Sequence, residues 1–143
     1  MESIEFLKPA FVLVFWTFIM WFWLYFTRIP AMQKAGIDPQ QAASPSAGNW
    51  KEKLPSNVVS AADNYNHLHE QPVLFYALMA FAAISGGADA TAFYIAWAYV
   101  ALRIIHSLIH ATVNIVMLRF AVFSLASITL MALGVKEGLR VFL

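Results

Sequence analysis

The segment RIIHSLIHATVNIVMLR, Arg103 to Arg119, is the part of the sequence on which the rest of the interpretation depends. On a helix, five of its polar residues fall within about 100° of arc and form one stripe on an otherwise apolar surface. They are Arg103, His106, Ser107, His110 and Asn114. A polar stripe at membrane depth is costly, so it faces a bundle interior or a wet cavity. It is therefore either a functional site or a set of interhelical hydrogen bonds, and its charge favours the site.

The composition indicates an integral membrane protein. The chain has 143 residues, of which 61% are hydrophobic and 12% are charged, about half the charged fraction of a soluble domain. The net charge of +1 gives no electrostatic reason to expect a nucleic-acid partner. Because the chain has no cysteine, any thiol that takes part in its function must arrive with a ligand.

Hydropathy predicts four membrane spans in a single all-α domain, residues 1–143. The predicted spans cover about residues 8–28, 58–84, 90–115 and 119–140, and a polar loop covers about residues 31–56. Pro30 is predicted to limit the first helix, and Pro72 to kink the second. The short connections favour an up-down four-helix bundle.

The distribution of lysine and arginine predicts the orientation in the membrane. Four cations lie in or beside the long loop: Arg28, Lys34, Lys51 and Lys53. The connection between the second and third predicted spans, residues 85–89, has none. By the positive-inside rule the long loop is cytoplasmic and the N-terminus lies outside. We expect an integral membrane protein in this orientation.

In an up-down bundle, Arg28, Glu70, the polar stripe and Arg119 all reach the cytoplasmic side. Such a mixed-charge pocket, open to lipid, suits a small zwitterionic ligand beside an apolar one. A metal site is the alternative chemistry, because His106 and His110 lie one helical turn apart and Glu70 offers a carboxylate. Arg103 would oppose a bound cation, so no metal is predicted. His67 and His69 alternate faces on a regular helix and are predicted to be interfacial.

Three motifs resemble the MAPEG family, the membrane-associated proteins in eicosanoid and glutathione metabolism. They are NYNHLHEQPVLFYAL (residues 64–78), LRIIHSLIH (residues 102–110) and LRF (residues 118–120). The chain is identified as a bacterial-type member, and the similarity covers roughly residues 5–140. It implies a protein of the bacterial inner membrane. The resemblance implies a four-helix protomer, a homotrimer, and glutathione bound as cosubstrate between neighbouring protomers near the cytoplasmic side.

The resemblance also implies roles for individual residues. Glu70 matches the second-helix glutamate of the family and Arg103 the third-helix arginine. Arg119 matches the arginine that opens the fourth helix and stabilises the thiolate in glutathione-using members. We predict catalytic roles for Arg119 and His110. The predicted glutathione-binding residues are Arg28, Asn66, Glu70, Arg103, His106 and Asn114.

The sequence departs from the family pattern at specific positions. The usual second-helix pattern is R-x-x-x-N-x-x-E, and aligning its end with Glu70 places Asp63 at the arginine. The same alignment places His67 at the asparagine, with Asn66 one residue away. His110 stands where many eicosanoid-handling members have tyrosine. The change to Asp63 reverses a charge in the implied glutathione site.

The function implied by the resemblance is that of an enzyme, a glutathione-dependent transferase or peroxidase. Its substrates would be lipophilic electrophiles or lipid hydroperoxides, and the protein would contact membrane lipid. The departures motivate a second hypothesis, a non-catalytic trimeric membrane protein that binds lipid or a partner. A third is a small proton-coupled transporter in which Glu70 and the histidines carry protons.

Overall fold

The computed structural model describes residues 1–44, 46 and 48–143, and this part of the chain is helical. The helices are α1 (Ser3–Lys34), α2 (Pro39–Ala42), α3 (Ser56–His67), α4 (Pro72–Ile84), α5 (Ala90–Ala111) and α6 (Val116–Phe142), with a 3₁₀ turn at Trp50–Lys53. The described residues are 81% helical and contain no strand, which confirms the all-α prediction. Positions 45 and 47 of the predicted loop lie outside the described residues.

Three helices, α1, α5 and α6, are long and apolar enough to cross a membrane. The second predicted span is divided, because α3 ends at His67 after 12 residues and α4 begins at Pro72 and has 13 residues. Proline has no N–H to donate to the preceding turn, so a helix boundary at this position has a simple cause. Each of the two helices is shorter than the roughly 20 residues of a spanning helix. A fourth span made of α3 and α4 together therefore stays a prediction.

The first helix continues beyond its predicted end. Helix α1 runs through Pro30 to Lys34, so the prediction that Pro30 limits the helix is wrong. Proline has no N–H to donate to the carbonyl oxygen of the preceding turn. Because Pro30 is exposed, that carbonyl can bond to solvent instead. The Thr27 hydroxyl also donates to the carbonyl oxygens of Trp23 and Leu24, at 2.8 and 3.1 Å.

Helix α5 forms the centre of the bundle, with α1, α3 and α6 packed against it. Its buried positions recur every three or four residues, as expected for one helix face. The face begins with small and aromatic side chains and ends with polar ones: Ala92, Ala96, Tyr99, Val100, Arg103, His106, Ser107 and His110. The core therefore changes from apolar to polar along a single helix.

Helix α1 buries only a narrow face, which includes Phe6, Leu13 and Met20. The opposite face carries a row of exposed phenylalanines: Phe11, Phe15, Phe18, Phe22 and Phe26. Rings four positions apart contact one another, such as Phe11 and Phe15, whose centroids are 5.6 Å apart. An apolar surface of this kind is stable in contact with lipid.

Ion pairs close the end of the bundle away from the polar stripe. Glu137 is 1% exposed and pairs with Lys136 at 2.9 Å and with Arg140 at 2.8 Å. Lys136 also contacts Asp89 at 2.6 Å, and Arg140 donates to the carbonyl oxygen of Ser85 at 2.9 Å. The cluster ties the connection between α4 and α5 to the C-terminal part of α6.

Candidate functional site

The polar stripe of α5 meets a second polar row on α3. Arg103 and Ser107 are fully buried, and His106 and His110 are 3% and 6% exposed. The row on α3 consists of Ser60, Asn64 and His67, which follow one another at helical spacing. The Asn64 amide donates to the Ser107 hydroxyl at 2.8 Å, so the two rows are joined by a buried hydrogen bond.

Arg103 fixes the end of α3 against α5. Its Nη2 donates to the carbonyl oxygen of His67 at 3.0 Å and lies 3.1 Å from Nδ1 of the same residue. His67 is the last residue of α3, and its carbonyl belongs to the helix end that lacks helical partners. A cation at a helix C-terminus also interacts favourably with the helix dipole. The guanidinium lies 5.6 Å from the ring centroid of Phe123.

Three histidine rings pack together beside Arg103. His67 stacks on His106 with centroids 5.0 Å apart, and His110 lies 6.0 Å from His67 and 5.8 Å from His106. Phe123 of α6 covers His67 at 5.2 Å. Within the described part of the chain, no group of His, Cys, Asp and Glu has the arrangement of a metal site. The rings contact one another through their faces and edges instead of directing their nitrogens at a common point.

A second set of contacts lies where α5 ends and α6 begins. Asn114 adopts the left-handed conformation, with φ of 47°, which asparagine tolerates better than most residues. Its amide nitrogen donates to the Ser60 hydroxyl at 3.0 Å, and its side-chain oxygen accepts a hydrogen bond from Nη1 of Arg119 at 2.6 Å. Asn114 thereby connects α3 to the first turn of α6 and holds Arg119 in position.

A cavity of about 200 Å³ opens beside these residues. It is lined by His67, His106, Val116, Arg119, Phe120 and Phe123. One wall carries a guanidinium and two imidazoles, and the other is aliphatic and aromatic. The volume corresponds to about seven water molecules. A cavity of this size can hold the reactive end of a ligand, while the rest of the ligand extends outside the cavity.

Three of the predicted binding residues lie apart from this cavity. Arg28 packs over the ring of Trp50 at 5.2 Å, and together with Asp63 and Asn66 it borders a small cleft on the outer side of α3. Glu70 follows the end of α3, and its side chain is 66% exposed. Its Oε2 lies 3.8 Å from Nε2 of His67, so Glu70 reaches the edge of the cluster through that residue.

The other predicted site residues lie close together, at the C-terminal end of α5 and the start of α6. They are Arg103, His106, His110, Asn114 and Arg119. His67, Asn64 and Ser60 are not among the predicted site residues. Their spacing of four and three residues was the available signal, because it places them on one helical face.

The helices and contacts define an all-helical integral membrane protein with a polar cluster at one end of its bundle. The model of the MAPEG family matches residues 6–138, nearly the whole chain. The protein belongs to the MAPEG family, which confirms the resemblance inferred from the motifs. No curated protein and no solved structure matches the chain significantly.

Proposed function

We propose that the protein is a membrane-bound, glutathione-dependent transferase or peroxidase that acts on lipophilic electrophiles or lipid hydroperoxides. Members of the MAPEG family are glutathione-dependent transferases, peroxidases or related proteins. The observation on this chain that carries the proposal is the cavity in which Arg119 faces imidazole and aromatic side chains. A cation and an apolar wall in one cavity fit a thiolate that reacts with a lipophilic partner.

The role proposed for Arg119 is to stabilise the glutathione thiolate. A free thiol has a pKa above neutrality, and only its thiolate is a strong nucleophile. A guanidinium next to the sulfur favours the thiolate, and exclusion of water increases the effect. The hydrogen bond from Nη1 to Asn114 holds this charge in place before the ligand arrives. Arg119 also lies in the first turn of α6, where the helix dipole favours an anion.

The chemistry requires no group beyond glutathione and the substrate. In the transferase reaction the sulfur forms a bond to an electrophilic carbon, and the leaving group departs with the bonding electron pair. In the peroxidase reaction one hydroperoxide and two glutathione molecules give an alcohol, water and glutathione disulfide. Val116 and Phe120 line the cavity and are exposed, so a lipophilic substrate has access from the membrane.

The proposal includes a homotrimer with glutathione between neighbouring protomers. Arg28 of α1 and Asn66 of α3 border the same cleft, and Glu70 follows the end of α3, where a neighbouring protomer can approach. The orientation proposed from the positive-inside rule directs this end of the bundle to the cytoplasm, with the N-terminus outside. Glutathione is then available on the side where the site opens.

The first prediction tests the role of Arg119. Substitution Arg119→Leu should leave the oligomer intact and glutathione bound, but remove the ultraviolet absorbance of the bound thiolate. Turnover should fall about 100-fold, as expected when one preorganised electrostatic group is lost. The measurements are difference absorbance with glutathione and the rate with a general electrophile.

Lys8→Leu is the matched control, because Lys8 is an exposed cation paired with Glu5 on α1 and should keep the wild-type rate. Unchanged turnover in Arg119→Leu would show that the sulfur is activated elsewhere. His110 would then be the residue to test.

The second candidate function is a non-catalytic trimeric membrane protein that binds lipid or a partner. Asp63 favours it, because this carboxylate borders the same cleft as Arg28 and would repel a ligand carboxylate there. A ligand that binds only the folded state raises thermal stability. The absence of stabilisation by millimolar glutathione, together with a reaction rate equal to that in buffer, would favour this candidate over the enzyme.

A further inference from the structure

The two ring nitrogens of His67 face opposite charges. Nδ1 lies 3.1 Å from Nη2 of Arg103, and Nε2 lies 3.8 Å from Oε2 of Glu70. A guanidinium has only donors, so Nδ1 must be the acceptor. A carboxylate only accepts, so it favours a proton on Nε2. Both neighbours therefore select the same form of the ring, the neutral tautomer that carries its proton on Nε2.

The contact with Arg103 is held from several sides. Nη2 of Arg103 carries two hydrogens and has two acceptors, the carbonyl oxygen of His67 at 3.0 Å and Nδ1. Arg103 is fully buried, so water does not compete for these hydrogens. The His67 ring is also packed on His106 at 5.0 Å and against Phe123 at 5.2 Å. The ring cannot turn over without breaking these contacts together.

The other ring nitrogen, Nε2, makes no hydrogen bond to the described residues. His67 lines the cavity that also contains Arg119. The separation of 3.8 Å from Glu70 is longer than a hydrogen bond, and the Glu70 side chain is mostly exposed. A ligand atom in the cavity can therefore take the Nε2 hydrogen in exchange for a weak contact with Glu70.

We propose that Arg103 holds His67 in the Nε2–H tautomer, and that His67 donates a hydrogen bond from Nε2 to an electron-rich atom of the ligand. The identity of that atom rests on the proposed function, under which it is the glutathione sulfur. Arg119 then supplies charge to the sulfur, and His67 supplies a directed donor. Arg103 is a positioning residue that acts through His67.

Nitrogen-15 NMR of the histidine side chains tests the tautomer in the ligand-free protein. The His67 signals are assigned by their loss in His67→Gln. We expect a protonated Nε2 and an unprotonated Nδ1 in the wild type. Arg103→Leu should give a mixture of tautomers, and Arg103→Lys, which retains a donor, should restore part of the wild-type pattern. A proton on Nδ1 of wild-type His67 would overturn the proposal, whatever the enzyme does.

Glutathione affinity, measured by calorimetry, tests the donated hydrogen bond. His67→Phe keeps the ring but not the donor and should weaken binding about tenfold or more, the usual loss for a hydrogen bond to a charged group. His67→Gln keeps an N–H near the position of Nε2 and should bind much more tightly than His67→Phe. His69→Phe is the matched control, because His69 is exposed and contacts Tyr65 instead of the cavity. Equal affinity of His67→Phe and wild type would overturn the proposal.

Failure of the wild-type protein to bind glutathione would contradict the proposed function. The hydrogen-bond donor role of His67 can still be tested with another anion. Sulfite is a small anion that fits the cavity and needs no glutathione site. Its addition should shift the Nε2 resonance of His67 more than that of His69. An unchanged Nε2 resonance at high sulfite would overturn the donor role itself.

Discussion

Asn114 combines a backbone role and a side-chain role at one position. Its φ of 47° is a conformation in which most side chains are strained. Its amide contacts Ser60 on one side and Arg119 on the other, at 3.0 and 2.6 Å. Its N–H also donates to the carbonyl oxygen of Ile109 at 2.7 Å, which closes the turn after α5. The position of Arg119 therefore depends on a turn that asparagine is suited to form.

Two substitutions separate these roles. Asn114→Gly keeps the left-handed turn and removes the hydrogen bonds of the amide, whereas Asn114→Ala removes the bonds and adds backbone strain. The free energy of unfolding should therefore fall about 1 kcal/mol further in Asn114→Ala than in Asn114→Gly. Turnover should fall in both variants, because Arg119 loses its partner in both. Denaturant unfolding in detergent measures the difference, and equal stability of the two variants would show that the turn is not strained.

Residue by residue, the site was predicted on α5, whereas Ser60, Asn64 and His67 of α3 were not predicted although their spacing places them on one helical face. The residues from Arg103 to His110 lie on one continuous helix, so the 3.6-residue period alone identified their common face. For the region of α3 the prediction was one helix that continued through Glu70 to about residue 84. The helix ends at His67, so the side chains on either side of the break no longer share a face. Contacts made through space, such as that between Arg28 and Trp50, leave no periodic signal in a sequence.

At the scale of elements, the break between α3 and α4 is held by side chains from other helices. Arg103 of α5 bonds to the last carbonyl of α3. Gln71, just before α4, donates to the Ser127 hydroxyl of α6 at 2.8 Å. The bond from Arg103 satisfies a backbone carbonyl at the end of α3, and the bond from Gln71 ties the start of α4 to α6. Pro72 predicted a kink here, whereas the partners that stabilise it could be identified only from the structure.

The connection between α4 and α5 is likewise held by side chains of another helix, α6. Gly87 has no side chain, and a Cβ atom there would collide with the Glu137 carboxylate and the Arg140 guanidinium. Asp89 caps α5, its carboxylate accepting a hydrogen bond from the Ala92 N–H at 2.8 Å, and it also contacts Lys136. Aspartate is a common residue before a helix, but neither this cap nor the burial of Glu137 was predicted.

Asp89 gives this connection a defined pH dependence. The hydrogen bond from Lys136 holds the pKa of the Asp89 carboxyl below its usual value of 3.8. A carboxyl whose pKa is lowered by folding stabilises the folded state above its unfolded value, and this contribution is lost as the pH falls through the lowered value. The thermal midpoint of the wild type should therefore decline below about pH 4, and Asp89→Asn should flatten that part of the decline.

The measurement is the unfolding midpoint between about pH 3 and pH 6 in detergent. Asp63→Asn provides the control, because Asp63 is exposed and has no ion pair among the described residues. An Asp89→Asn curve as steep as that of the wild type would show that other carboxyls cause the decline.

At the scale of the whole molecule, the predicted site residues lie in two separate places on the chain. The cavity gathers Arg119 and His106, with Arg103 and Asn114 behind them. Arg28 and Asn66 border a different cleft, on the outer side of α3. This division agrees with the proposal that glutathione lies between protomers, since two faces of the same chain would then contribute to each site. Sequence motifs list both sets of residues without indicating that they lie on different faces.

The orientation of the bundle decides whether the polar cluster meets cellular glutathione. At the end of the bundle away from the polar stripe, Lys136 and Arg140 are engaged in ion pairs. Lys8 of α1 is also paired. The cations in or beside the long loop, Arg28, Lys34, Lys51 and Lys53, have no ion pair among the described residues. Lysines and arginines in short loops near the ends of spans favour the cytoplasmic side, and the turn at residues 85–89 contains neither. We therefore expect the loop before α3 in the cytoplasm and the turn before α5 outside.

Cysteine labelling tests this orientation without background, because the chain has no cysteine of its own. Gln40→Cys marks the loop and Ala90→Cys marks the turn, and both positions are exposed. A membrane-impermeant maleimide should label Ala90→Cys in intact cells, and Gln40→Cys only after permeabilisation. The reverse pattern would place Arg119 and His67 on the outer side, away from the glutathione of the cell. The enzyme proposal would then fail, although the helices and their contacts would remain as described.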